Sequence, residues 1–185
     1  MRVTEADLPG VFLIEPRLFP DERGLFLETY HAERYGISGL ADLFVQDNLS
    51  FSRKGVLRGL HYQIHRAQGK LVTAVQGKIF DVAVDIRRGS PTFGHWFGAV
   101  LSSDNFRQMF VPKGYAHGFC VLSDTATVCY KCTDFYSPSG ERGLRWDDPR
   151  LAIQWPVEEP IISDKDRMYP TLETISEDDL PSFEG

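Results

Sequence analysis

The stretch Ile79-Phe-Asp-Val-Ala-Val-Asp-Ile-Arg87 alternates strictly: Phe80, Val82, Val84 and Ile86 fall on one face, and Asp81, Ala83 and Asp85 on the other. A side-chain period of two is the mark of a β-strand between two different surroundings. Gln76-Gly77-Lys78, just before it, reads as a tight turn, and residues 71–75 as the strand leading in. Outward from there, short alternating runs recur at 11–14, 24–30, 44–50, 56–63, 95–101, 107–111, 118–122 and 126–134. They are punctuated by Gly, Pro, Asn and Asp, with 20–24 and 89–92 as turns. Helical periodicity is confined to residues 31–36 and a single turn at 164–168. About ten short strands with regular turns predict an all-β sandwich or closed barrel with short peripheral helices. Beyond Pro138 the chain turns irregular, and Trp146 and Trp155 are expected to pin that tail against the barrel. With no repeat or linker, residues 1–185 read as one domain.

Composition excludes several classes of function. The formal net charge of -6 argues against broad attraction to nucleic acid or an anionic membrane. Local basic spots stand at Arg53-Lys54, Arg58 and Arg87-Arg88, the last pair reading as solvated strand ends. No apolar run reaches membrane-spanning or signal-peptide length, so the chain reads as cytoplasmic. Cys120, Cys129 and Cys132 are odd in number and closely spaced, which suits core thiols better than a disulfide framework. Cys129-x-x-Cys132 resembles half a zinc site, but no second pair follows.

Two histidines stand out by context. His61 ends Gly55-Val-Leu-Arg-Gly-Leu-His61, and His117 ends Pro112-Lys-Gly-Tyr-Ala-His117. The spacings Gly-x5-His and Pro-x-Gly-x2-His are those of the two cupin motifs, which aim histidines into a barrel from facing strands. The first motif lacks the further histidine and glutamate of a metal-holding cupin, since it continues Tyr62-Gln-Ile-His65-Arg-Ala-Gln-Gly-Lys70. The residues favour a cupin scaffold without its metal; a metal-dependent, small-molecule-binding cupin is the competing reading. His31, His65 and His95 are read as structural. Arg58 and Lys70, close to His61 in an apolar context, imply an anionic ligand, because buried cations are costly without one. Phosphate suits a guanidinium by geometry.

Several strings together resemble one enzyme family: Gln46-Asp47-Asn48, the His61 and His117 motifs, Asp81-Val-Ala-Val-Asp-Ile-Arg87, Gly89-Ser-Pro-Thr-Phe-Gly94, Tyr130-Lys131 and Ser163-Asp-Lys-Asp166. The chain is similar over residues 11–170 to the dTDP-4-dehydrorhamnose 3,5-epimerases. The resemblance implies a cofactor-independent, metal-free isomerase that inverts C3 and C5 of dTDP-4-dehydro-6-deoxyglucose for deoxysugar (rhamnose) biosynthesis. Relatives that invert one carbon share the same parts, and this alternative stays open. By the motif match, His61 is the base, Asp166 its hydrogen-bond partner, Tyr130 the acid on the opposite face and Lys70 the enolate-stabilising group. Arg58 and His117 match substrate-contacting positions, and Gln46, Asp47 and Asn48 nucleotide-binding ones, although turn chemistry would also account for that triplet. Tyr136, Glu141 and Lys165 match further binding positions. Arg23 and Glu28 are implied to reach the nucleotide across a homodimer that exchanges N-terminal strands.

Overall fold

A computed structural model of the chain describes residues 1–40 and 43–183. Its strands are β1 (Arg2–Glu5), β2 (Phe12–Glu15), β3 (Leu18–Asp21), β4 (Gly24–Leu27), β5 (Gln46–Arg53), β6 (Leu57–Gln63), β7 (Lys70–Gln76), β8 (Lys78–Asp85), β9 (Trp96–Ser102), β10 (Gln108–Val111), β11 (Tyr115–Val121), β12 (Thr125–Cys132) and β13 (Glu141–Gly143). Among the described residues two short α-helices, α1 (Ala32–Ile37) and α2 (Asp164–Arg167), and one 3-10 turn, Glu177–Asp179, accompany them. One sheet runs β1-β2-β10-β7-β12-β5 and faces another that runs β13-β6-β11-β8-β9. Every pairing between these strands is antiparallel. The result is the cupin-type jelly roll that the alternation and the two histidine spacings predict.

The inner faces of the sheets meet in a core that includes Val72, Ala74, Ile79, Leu101, Met109, Phe119 and Val128. Burial of each such aliphatic or aromatic side chain contributes about 1.5–3 kcal/mol. A second core lies outside the five-stranded sheet, where Leu144, Leu151, Leu172 and Leu180 of the C-terminal segment cover Val82, Val84 and Ile86. The apolar stripe of β8 therefore faces this wrapping segment, while Asp81 and Ala83 point between the sheets. Trp155 donates its indole N–H to the Trp146 carbonyl at 2.9 Å and packs on Phe80, pinning the tail as expected.

The structure departs from the sequence reading in places that have physical causes. Strands β1 and β3 carry no apolar alternation, and each is four residues long. The turn expected at 20–24 is narrower, because Pro20 lies inside β3; it is tolerated there because the β3–β4 ribbon has two strands only. The third strand from the end of the barrel, β11, begins at Tyr115 rather than 118, which brings His117 into the ladder. Gly77 does not close a hairpin: it carries the chain from one sheet to the other, with φ of +75° and no room for a Cβ beside the Thr125 carbonyl.

Arg87 corrects the expectation of a solvated strand end. Its guanidinium donates to the fully buried Asp85 through Nε at 2.9 Å and Nη2 at 2.7 Å. It also lies over the rings of Tyr115 at 4.5 Å and Phe183 at 4.9 Å. Ser90 and Thr92 donate to the same carboxylate at 2.6 and 2.7 Å. Burial opposes ionisation of Asp85, but the donors from Arg87, Ser90 and Thr92 outweigh it and hold its pKa below the ordinary value. Arg88, by contrast, is half-buried and pairs with Glu177 at 3.2 Å. Removing one partner of a buried pair leaves the other uncompensated. Arg87→Ala is accordingly expected to lower the unfolding free energy in urea by about 3–5 kcal/mol, and a change within error would show that the cluster is not a structural clamp.

Candidate active site

His61 and Arg58 sit at positions of opposite parity, so a regular strand would aim them to opposite sides. The pairing of β6 with β11 prevents this. His61 is opposite His117 and Arg58 opposite Phe119, so three steps on β6 match two on β11. The extra residue is a bulge at Gly59-Leu60, and it turns both side chains into one cavity between the sheets. Glycine is required there: a Cβ on Gly59 would lie 2.6 Å from the Gly118 Cα and 2.7 Å from the His117 carbonyl.

The cavity holds about 310 Å³ and is lined by Arg58, His61 and His117 from one sheet, by Lys70 and Tyr130 from the other, and by Tyr136 and Glu141 at its edge. An adjoining space of about 200 Å³ adds Gln46, Asn48, Gln63 and Gln68. A more apolar hollow of about 360 Å³ lies on the outer face of the six-stranded sheet, beside Asp47, Leu49, Val75 and Cys129, and has none of these titratable groups except Tyr130.

Each histidine is paired with a carboxylate. His61 Nε2 is 2.7 Å from Asp166 Oδ1, while Asp166 Oδ2 accepts the Gly59 N–H at 3.2 Å. Ser163 caps α2 by accepting the Asp166 N–H at 3.1 Å, which fixes where the carboxylate stands. Asp166 is buried, and desolvation favours its neutral form; the contacts with His61, Gly59 and Ser163 overcome this and depress its pKa. An ionised Asp166 holds the proton of the neutral imidazole on Nε2 and leaves the lone pair on Nδ1. Directly across the strand pair, His117 Nε2 is 2.8 Å from Asp81 Oδ1. Asp81 is completely buried, and desolvation raises its pKa against the opposing effects of His117 and Lys70.

Lys70 keeps some exposure to the cavity yet is enclosed by protein, and its Nζ is 3.5 Å from the His61 carbonyl. Desolvation lowers its pKa, partly offset by Cys132, Asp81 and Glu141. Tyr130 shows the opposite effect: burial raises its pKa, so the phenol keeps its proton. Arg58 donates through Nε to Ser52 Oγ at 3.0 Å. Gln46 Nε2 donates to Asn48 Oδ1 at 3.0 Å, and Gln46 Oε1 accepts the Tyr136 N–H at 2.8 Å. Glu141 Oε2 gathers the Tyr136 hydroxyl at 2.8 Å and the Lys165 ammonium, which ties α2 to the cavity edge.

Three residues of the sequence reading are not brought to this cavity. Asp47 alternates with Gln46 and Asn48 and therefore points outward, where it pairs with Lys131 at 2.9 Å. Arg23 pairs with Asp21, and Glu28 with Arg34, on the β3–β4 ribbon and its exit. Two residues went unassigned. Asp81 was visible as a charge in an apolar strand, whereas Tyr169, whose ring centroid lies 5.8 Å from that of His61, left no local signal. Among the described residues, no group of three or more His, Cys, Asp or Glu side chains is arranged to hold a metal ion.

The enclosure of Lys70 has a direct consequence. Removing an ammonium from water penalises the charged form, so in a carbon-13 titration of the lysine methylenes Lys70 should lose its proton below the ordinary lysine range. Titration of Lys70 at the ordinary lysine value would refute the enclosed placement.

Comparison with known proteins gives one consistent picture. The family model described as dTDP-4-dehydrorhamnose 3,5-epimerase matches residues 5–174. The chain is 55% identical over 169 residues to the dTDP-4-dehydrorhamnose 3,5-epimerase of Pseudomonas aeruginosa, covering 90% of this chain and 93% of that protein. It is 42% identical over 169 residues to a dTDP-4-dehydrorhamnose 3-epimerase of Streptomyces niveus, covering 90% of this chain and 82% of that one. The fold matches the crystal structure of the dTDP-6-deoxy-D-glucose-3,5-epimerase of Legionella pneumophila in complex with dTDP-4-keto-L-rhamnose. There the TM-score is 0.96 at 49% identity, with 100% of this chain and 99% of that chain covered. The barrel, its paired histidines and these matches along nearly the whole length lead to one conclusion: the chain belongs to the dTDP-4-dehydrorhamnose 3,5-epimerase family.

Proposed function

We infer that this enzyme epimerises dTDP-4-dehydro-6-deoxy-D-glucose at C3 and C5, giving dTDP-4-dehydro-6-deoxy-L-mannose, by acid–base proton transfer. The observation that carries the reading is one cavity with a carboxylate-backed imidazole on one sheet and a protonated phenol on the other. Inverting a carbon beside a ketone requires a proton to leave one face and another to arrive on the opposite face. His61 Nδ1 takes the first proton, and Asp166 stabilises the imidazolium that forms. Tyr130 delivers the second from across the cavity. Lys70 supplies the positive charge that meets the enolate oxygen, a contribution on the order of 10²–10³-fold. Arg58 and His117 hold the diphosphate and sugar, Gln46 and Asn48 the nucleotide, and Tyr136, Glu141 and Lys165 close the edge over the sugar. Asp47 acts from the outer face only, through its pair with Lys131.

The working unit we propose is a homodimer in the cytoplasm, where Cys120, Cys129 and Cys132 remain free thiols. The β3–β4 ribbon exposes Phe19 and Phe26, and the outer face of β5 exposes Leu49 and Phe51. Apolar surface of this kind is suited to a second copy of the chain. Exchange of the ribbon would carry Arg23 and Glu28 to the partner's nucleotide.

Deuterium incorporation from D₂O tests the chemistry. Label is expected at both C3 and C5 with the wild-type enzyme; label at one carbon would make it a mono-epimerase, like the relative from Streptomyces niveus. His61→Ala should reduce exchange at both carbons by on the order of 10²–10⁴-fold while nucleotide binding persists. Tyr130→Phe should still permit proton removal but yield little inverted product. Wild-type turnover in either variant would remove the role assigned to that residue. For the assembly, Phe26→Glu should shift the sedimenting species from dimer to monomer and weaken dTDP binding; an unchanged species would sink the exchange.

A further inference from the structure

We propose that Tyr169, seated on Gly143, is a positioning residue for the imidazole of His61. The inference rests on the role given to His61 above and adds a residue which that role did not include.

Tyr169 follows directly after Met168, the C-cap of the α2 turn that carries Asp166, so one short segment brings both side chains to His61. Asp166 engages His61 at Nε2, and Tyr169 meets the imidazole nearly at right angles, with centroids 5.8 Å apart and an interplanar angle of 71°. The hydrogen bond alone leaves the ring free to rock about the N···O line. A second contact normal to the ring removes that freedom. Tyr169 can lie there because of a glycine: Gly143 is the strand partner of His61 on β13, and the edge of the Tyr169 ring fills the space that a Cβ on Gly143 would occupy. The segment after Tyr169 is tied to the same place, since the Pro170 carbonyl accepts the Arg145 N–H at 2.9 Å.

The Tyr169 hydroxyl is buried beside the Lys165 ammonium, which acts on its ionisation without reaching full hydrogen-bond geometry. The contact with the imidazole is made by the ring, so the ring is the part that acts on His61. This separates Tyr169 from Tyr130, whose phenolic proton is needed.

The test uses the whole enzyme and two readouts. Tyr169→Phe is expected to keep kcat within about twofold. Tyr169→Leu, and independently Gly143→Ala, are expected to lower kcat on the order of 10–100-fold with KM changed far less, as a misplaced group does. Nitrogen-15 spectra of the ligand-free protein should show His61 as one tautomer, protonated on Nε2, in the wild type and Tyr169→Phe, and as a mixture in the other two variants. Unchanged kcat and a single tautomer in Tyr169→Leu or Gly143→Ala would overturn the proposal, as would a loss confined to KM. Failure of the underlying role looks different: His61→Ala would then retain exchange, whatever the tautomer in the Tyr169 variants.

Discussion

The site depends on one hydrogen bond between parts of the chain 105 residues apart, His61 Nε2 to Asp166 Oδ1. It joins a barrel strand to a single turn of helix that follows a long irregular segment. A carboxylate that is 4% exposed stays ionised only where donors surround it, and here they come from an imidazole, the Gly59 backbone and the Ser163 cap. Each donor fixes one degree of freedom of the turn. The C-terminal wrap, with Leu144, Leu151, Leu172 and Leu180 on the outer face of the sheet, brings that turn within reach. Stability of the tail and orientation of the His61 imidazole are thus the same structural fact.

The cavity also needs charge in a place where water is scarce. Lys70, Asp81, His117 and Glu141 lie close enough that each alters the ionisation of another. Burial lowers the pKa of the ammonium and raises that of Asp81, which would push both toward neutrality. Their mutual attraction opposes this. Such an arrangement favours an incoming anion or a developing negative charge over a neutral ligand. It is the electrostatic form that an enolate beside a diphosphate requires.

Much of the fold was legible in alternation: β8, β6 and β12 read directly from residues 79–87, 56–63 and 126–134. Strands β1 and β3 were not legible, because four mostly exposed residues bury too little to impose a pattern. At the site, the histidine spacings pointed to the barrel interior, but alternation set Arg58 and His61 on opposite faces. Only the register of β6 against β11 shows the bulge that unites them. The same alternation, applied strictly, separates Asp47 from Gln46 and Asn48, and the Asp47–Lys131 pair on the outer face bears this out. Arg87 misled for a related reason. Its partner Asp85 looked like a polar strand face, and nothing local revealed that the end of the strand lies beneath Tyr115 and Phe183.

A barrel of this type presents two ways to stabilise an enolate, a cation gathered by converging histidines or fixed protein charges. Here His61 and His117 are cross-strand partners, yet each turns its Nε2 to a different carboxylate, Asp166 on the wrapping turn and Asp81 inside the barrel. Fixed positive charge stands on the facing sheet, where Lys70 pairs in register with Cys132 two residues from Tyr130. The imidazole of His61 and the phenol of Tyr130 then stand on opposite walls, with the Lys70 ammonium on the wall of the phenol. In the mechanism we propose, a substrate held between them would turn one face to the imidazole and the other to the phenol, which is the condition for inversion rather than simple exchange.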